Sequence, residues 1–199
     1  MNFAQAKEYA LSRLSNELSA NLFYHSYRHT QDVCSAVEIL AAEEGISGEE
    51  LDVLRTGAIY HDMGYLEQYH ANEPVGERIA KKALPEFDYT DEQIACVSDL
   101  IMATRMPQQP KTLAQKILCD ADLYYLGGDT FYELSHELRR ELAAYGKPTT
   151  LPEWYQLELQ FLQSHAYFTE TARRTQEPGK QQYIREIEEL LNEHRTSNS

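Results

Sequence analysis

Three times in this chain a hydroxyl residue stands three places ahead of a glutamate or glutamine: Ser47-Gly-Glu-Glu50, Thr90-Asp-Glu-Gln93 and Thr150-Leu-Pro-Glu153. Such a pair can satisfy two orphan backbone donors reciprocally, so each pattern announces a helix N-terminus. The apolar residues behind each start keep helical spacing: Leu51, Leu54, Ala58 and Ile59; Ile94, Val97, Ile101 and Met102; Trp154, Leu157, Phe161 and Leu162. The same spacing appears in Phe3, Ala6, Ala10, Leu14 and Leu18, and again in Val33, Val37 and Leu40, where the run stops near Gly45. Further helices are expected from Asn72 to the proline at 85, over about 128–145, and over about 180–194, with the final HRTSNS fraying, while Leu113, Ile117 and Leu118 lead into Cys119-Asp120-Ala121-Asp122, with Asp120 on a helix. Residues 64–72 read as a loop. No stretch shows sustained strand alternation and no long repeat is visible. The expectation is therefore an all-α fold of about nine or ten helices. Over 199 residues no linker divides the chain, which reads as a single domain spanning 1–199.

Hydrophobic residues make up 42% of the chain, enough for a sizeable core, and the formal charge is −14. That charge argues against a nucleic-acid polymer or an anionic membrane as partner, although a metal can supply local positive charge for a nucleotide. The 14 tyrosines and 6 phenylalanines are a surplus that points to a buried interface, such as that of a homodimer. Cys34, Cys96 and Cys119 sit singly in apolar helical contexts, which reads as buried, reduced thiols and a cytoplasmic location. The N-terminus has no long apolar run of the signal-peptide kind, and no segment approaches the length of a membrane span.

Tyr60-His61-Asp62-Met63-Gly64 closes an apolar helix with a histidine beside an aspartate, and Gly64 reads as the residue that ends that helix. A half-buried charge there needs a partner. Imidazole nitrogen with carboxylate oxygen suits a divalent ion; the alternative is a salt-bridged pair. Neighbours on a helix point about 100° apart, so these two must grip an ion from the helix end. His29 and Asp120 join them as the other informative polar residues.

The order His29, His61-Asp62, Asp120 resembles that of the HD superfamily of metal-dependent phosphohydrolases. The surrounding phrases resemble it too: YHSYRHTQDV, AIYHDMGY and ILCDADLYYLG, over roughly residues 20–130. The resemblance implies an HD-domain helical bundle over that stretch, with a helical extension over about 130–195. It implies one divalent metal held by His29, His61, Asp62 and Asp120. Asp120 and Asp122 both fit the last position; the resemblance favours Asp120, leaving Asp122 to cap or hydrogen-bond. Two nitrogens and two oxygens leave positions open on a six-coordinate ion, which suits manganese, iron, cobalt, nickel or magnesium better than zinc. The implied reaction is attack by a metal-bound hydroxide on a small phosphorylated or nucleotide-like substrate, with Asp62 and Glu73 at the chemistry. Glu73 is a candidate proton-transfer group; the alternative is a first-turn glutamate favoured by the helix dipole. His25, His70 and Arg105 are candidates for binding the phosphate. His165, in SHAYFTETARR, has no assigned role.

Some members of the superfamily hold two metals. Here Asn72 and Thr104 stand where further histidines would fall, and His70 is the one histidine between Asp62 and Asp120. That favours one metal. It weakens the alternative of a di-iron oxygenase such as myo-inositol oxygenase. A metal- or ligand-binding module without turnover is the other alternative.

Overall fold

A computed structural model describes residues 1–197, apart from the side chains of 195 and 197. Nine α-helices and three short 3-10 turns make up its regular structure, with no strand among the described residues. The chain divides into two compact units, Met1–Asp122 and Leu123 onward.

The first unit contains α1 (Phe3–Glu17), α2 (Tyr27–Glu44), α3 (Gly48–Tyr60), α4 (Asn72–Ala83), α5 (Asp91–Ala103) and α6 (Leu113–Asp122). Helix α3 lies centrally, packed by α1, α2, α5 and α6. The spacing read from the sequence is the buried face: Ala6, Ala10 and Leu14 of α1 meet Ile59 and Tyr60 of α3, Ile79 and Ala80 of α4, and Val97 and Ile101 of α5. The Tyr60 hydroxyl, fully buried, donates to the carbonyl of Ala6 at 3.1 Å, which answers the polar cost of placing a tyrosine there.

Two of the three expected capping boxes form. At Thr90 and Thr150 the hydroxyl accepts from the residue three on, and that residue's side chain returns to the cap amide. Ser47 makes no such bond, because Gly48 behind it takes φ +61 and turns the chain away from cap geometry. Gly64 also differs from expectation. Helix α3 ends at Tyr60 with His61 still right-handed, and a 3-10 turn, Met63–Leu66, follows. Glycine is needed at 64 because a Cβ would stand 1.9 Å from the carbonyl oxygen of Asn72. Nor are all three thiols buried: Cys119 is, Cys34 is half-buried and Cys96 is exposed. Cys96 falls between Ile94 and Val97, off the stripe that faces the core.

The second unit contains α7 (Phe131–Ala144), α8 (Leu151–Ser164) and α9 (Glu170–Ser197). Helix α9 begins ten residues before the expected start at 180, and it runs through Pro178. A proline inside a helix forfeits one backbone bond. Here buried Ala172, Gln176, Lys180, Ile184 and Ile187 continue one stripe on both sides of it, so packing holds the helix through the break. The helix continues to Ser197 where fraying was expected; residues 198–199 lie outside the described residues. No described helix is long and apolar enough to cross a membrane.

Glu158 of α8 is buried, accepting from the Ser135 hydroxyl at 2.7 Å, which in turn accepts from the Trp154 indole at 2.9 Å. Burial pushes the Glu158 carboxyl up to about 7, against the pull of the serine bond. The folded state thus holds the proton more tightly than the unfolded chain. Its contribution is complete below the ordinary value of 4.5 and is lost as pH rises through about 7. At about 1.4 kcal/mol per tenfold, the difference is about 3 kcal/mol. Glu158→Gln, which stays neutral, is expected to gain about that much stability over wild type between pH 4.5 and pH 8 in urea unfolding. A constant difference across that range would contradict the assignment.

Candidate metal centre

Three helix ends meet in the first unit. Ser26 caps α2 by accepting from the backbone of His29, which places the His29 ring in the first turn. His61 is the last residue before α3 gives way, Asp62 follows it, and Asp122 is the last residue of α6. The ends of α3 and α6 are C-terminal, where the helix dipole favours a cation.

The four side chains form an alternating ring of nitrogen and oxygen. His29 Nε2 stands 3.1 Å from Asp122 Oδ1 and 3.5 Å from Asp62 Oδ2. His61 Nε2 stands 3.1 Å from Asp62 Oδ2 and 3.5 Å from Asp122 Oδ1. His29, His61 and Asp62 are buried, and Asp122 nearly so. With about 2.1 Å bonds, neighbouring ligands of a six-coordinate ion lie about 3.0 Å apart, close to the edges of this ring. Two of the ring atoms, His61 Nε2 and Asp62 Oδ2, are buried and have no hydrogen-bond partner. Such atoms are costly unless something else satisfies them. The donor set and the two orphaned atoms therefore fit a divalent ion.

Supporting contacts aim the ligands. His61 Nδ1 lies 2.7 Å from the carbonyl of Ala58, so the proton assigned to Nδ1 is donated there and the Nε2 lone pair faces the ring. Asn72 is buried and donates its amide to Asp62 Oδ1 at 3.4 Å, leaving Oδ2 for the ring. Burial would push the His61 imidazole down, but the carboxylates of Asp62 and Asp122 hold it well above its ordinary value. Burial likewise opposes the charge on Asp62 and Asp122, and the imidazoles beside them outweigh it, so both carboxyls are lowered. A divalent ion among these four groups would supply the positive charge that the two carboxylates favour.

Of the expected ligands, the structure brings together His29, His61 and Asp62, and the second carboxylate beside them is that of Asp122. One ligand atom each from His29, His61 and Asp122 lies within 4.8 Å of the others. Asp120 is fully buried on α6 and stands outside that group. Two residues along a helix turn about 200°, so Asp120 and Asp122 cannot face the same point. The helix-end geometry already evident for His61-Asp62 was the available signal for Asp122. The role of Asn72 had no local signal.

The His25 ring lies 6.0 Å from that of His29. Glu73, in the first turn of α4 beside Asn72, has its Oε2 buried without a hydrogen-bond partner. His70 is exposed in the loop before α4, and Arg105 is exposed after α5, with no described contact tying it to the ring. His165 lies in the second unit, where the buried Lys180 amine donates to its carbonyl at 2.7 Å.

If Asn72 aims Asp62, Asn72→Ala is expected to weaken metal affinity by about 10–100-fold with the fold intact. Asn72→Asp, which sets a like charge against Asp62, is expected to weaken it further. Metal titration with melting curves checks both; unaltered affinity in Asn72→Ala would remove the role.

The family described as HD domain matches residues 26–125. Among solved structures, the chain is similar to a predicted HD superfamily hydrolase from an uncultured Thermotogales bacterium, determined by crystallography. The two share 21% sequence identity over 96% of this chain and 90% of that one, with a TM-score of 0.59. No curated protein matches the chain.

Proposed function

This chain belongs to the HD-domain family, and on that footing we propose that it is a mononuclear metal-dependent phosphohydrolase acting on a small phosphorylated or nucleotide-like substrate. The observation that carries the proposal is the pair of orphaned atoms, His61 Nε2 and Asp62 Oδ2, facing one another in a ring of two imidazoles and two carboxylates. His29, His61, Asp62 and Asp122 would hold the ion. When bound, a divalent ion there lowers the pKa of water and polarises a phosphoryl oxygen.

The chain's own residues supply the rest. Asn72 engages one oxygen of Asp62, which supports one ion rather than two, because that oxygen is not left to bridge. Glu73 Oε2, buried and without a partner, is the acceptor for the proton that the attacking water loses. His25, next to His29 and half-buried, is placed to donate to a phosphate oxygen. His70 and Arg105 are exposed cations or donors for the outer part of the substrate. Manganese, iron, cobalt, nickel and magnesium suit the mixed set better than zinc.

Elemental analysis and phosphate release over a panel of phosphomonoesters, diesters and pyrophosphates test the proposal. One metal per chain with phosphate release is the expected result. Two irons with a mixed-valence signal would make the chain an oxygenase. A bound metal with neither activity would make it a binding module.

A further inference from the structure

At the starts of α3 and α6, against one face of α5, the first unit encloses a cavity of about 460 Å³. That volume is in the range of small-ligand sites. Helices α3 and α6 bring His61 and Asp122 to the ring from their opposite ends. The 13 residues of α3, at about 1.5 Å each, put about 20 Å between the two places.

Helices α3 and α5 close on each other at Gly57, where a Cβ would stand 2.8 Å from Leu100 Cδ1. One turn nearer the start of α3, the half-buried Val53 leaves space beside Leu100. Across the opening, the Gln93 amide donates to Glu49 Oε1 at 2.6 Å. Val53, Leu100 and Ala114 make the walls apolar. Gln115 is the polar group set into them, and it is only 9% exposed. Its Oε1 accepts from the backbone amides of Lys111 and Thr112 at 2.7 and 3.3 Å, which fixes Nε2 as a donor on the cavity side. That nitrogen has no partner among the described residues. A donor on a side chain so deeply set calls for an acceptor.

Glu49, Glu50, Glu92 and Asp99 stand around the cavity, and no lysine or arginine is among its described lining residues. Three of these acids lie in the first turns of α3 and α5, where the helix dipole favours them. Asp99 lies in the third turn of α5, where the dipole gives no reason for it. Helical spacing sets it on one face with Glu92 and Cys96. Carboxylates of one sign around an apolar cavity focus a negative potential into it, which favours a cation.

We propose that this cavity binds a small organic cation. Its apolar body would lie between α3, α5 and α6, its ammonium among the carboxylates, and a hydrogen-bond acceptor on it would meet Gln115 Nε2. The site stands on its own residues and is independent of the phosphohydrolase reading.

Tyramine and tyrosol share a phenol and differ by an ammonium in place of a hydroxyl. Calorimetric titration of each into the full chain is expected to show tyramine binding about tenfold more tightly. That advantage should shrink as salt is raised, and tyramine affinity should be the same with manganese and after chelation. Cys96, exposed in the lining, reports occupancy: saturating tyramine is expected to slow its alkylation by N-ethylmaleimide severalfold, read by peptide mapping. Glu50→Gln combined with Asp99→Asn, both at exposed positions, is expected to erase the preference, with the melting temperature confirming a folded variant. Equal binding of the two probes by wild type would overturn the proposal. So would tyramine binding that leaves Cys96 alkylation unchanged, or a preference that survives the double substitution. Binding that requires manganese would move tyramine to the metal centre and overturn it too. A chain that ignores tyramine yet binds a short arginine-containing peptide at Cys96 would give the cavity to a protein partner instead.

Discussion

Asp122→Asn is expected to strip the centre of its metal, while Asp120→Asn leaves it loaded. Asparagine matches aspartate in size but brings no charge, so the ring would lose half its anionic character. Losing an outer support costs about 10–100-fold in metal affinity, and losing a carboxylate ligand should cost more than that. Asp120 is fully buried and is not one of the clustered groups, so its substitution is expected to lower the melting temperature rather than the metal content. Metal per folded chain, by elemental analysis after gel filtration, with a melting curve on each variant, decides the matter. A loaded Asp122→Asn beside a metal-free Asp120→Asn would return the ligand to the residue that the family resemblance favours.

Glu73→Gln is expected to keep the metal and lose about 10²–10⁴-fold in turnover. The substitution preserves shape and hydrogen-bonding reach but removes the ability to accept a proton. Glu73 stands in the first turn of α4, where a negative charge is favoured by the helix dipole alone. That role predicts a small loss of stability and no change in turnover. Its buried, unpartnered Oε2 argues for more, because an oxygen of that kind is expensive to keep for a dipole interaction available to any exposed glutamate. Single-turnover kinetics at saturating manganese separates the roles. Turnover within a few-fold of wild type would leave Glu73 to the dipole.

Much of the fold is legible in the chain because its signals are local. The caps at Thr90 and Thr150 link residues three apart, and the apolar stripes link residues three or four apart. Interactions of that range belong to one helix and need no knowledge of its neighbours. The His61-Asp62 pair was legible for the same reason, since a helix that ends in two metal-binding groups offers them from one point.

What stayed hidden depends on distance along the chain. The bond between His29 and Asp122 spans 93 positions, and between two aspartates on α6 only the place of Asp122 at the helix end distinguishes the one that makes it. The Asn72–Asp62 bond spans ten positions across a turn whose path is set by the close approach of Gly64 to Asn72. Helix α9 persists through Pro178 because buried residues lie on both sides of the break. The boundary after Asp122 falls at the end of α6, in a stretch with no run of prolines, glycines or serines to mark it. The sequence by itself determined the all-helical fold and most of the buried faces, Leu157 of α8 being exposed instead, and it singled out His29, His61 and Asp62, which stand in the ring. Tertiary structure decided the fourth, and which side chains aim the others, because those choices are made by packing between helices rather than by bonding within one.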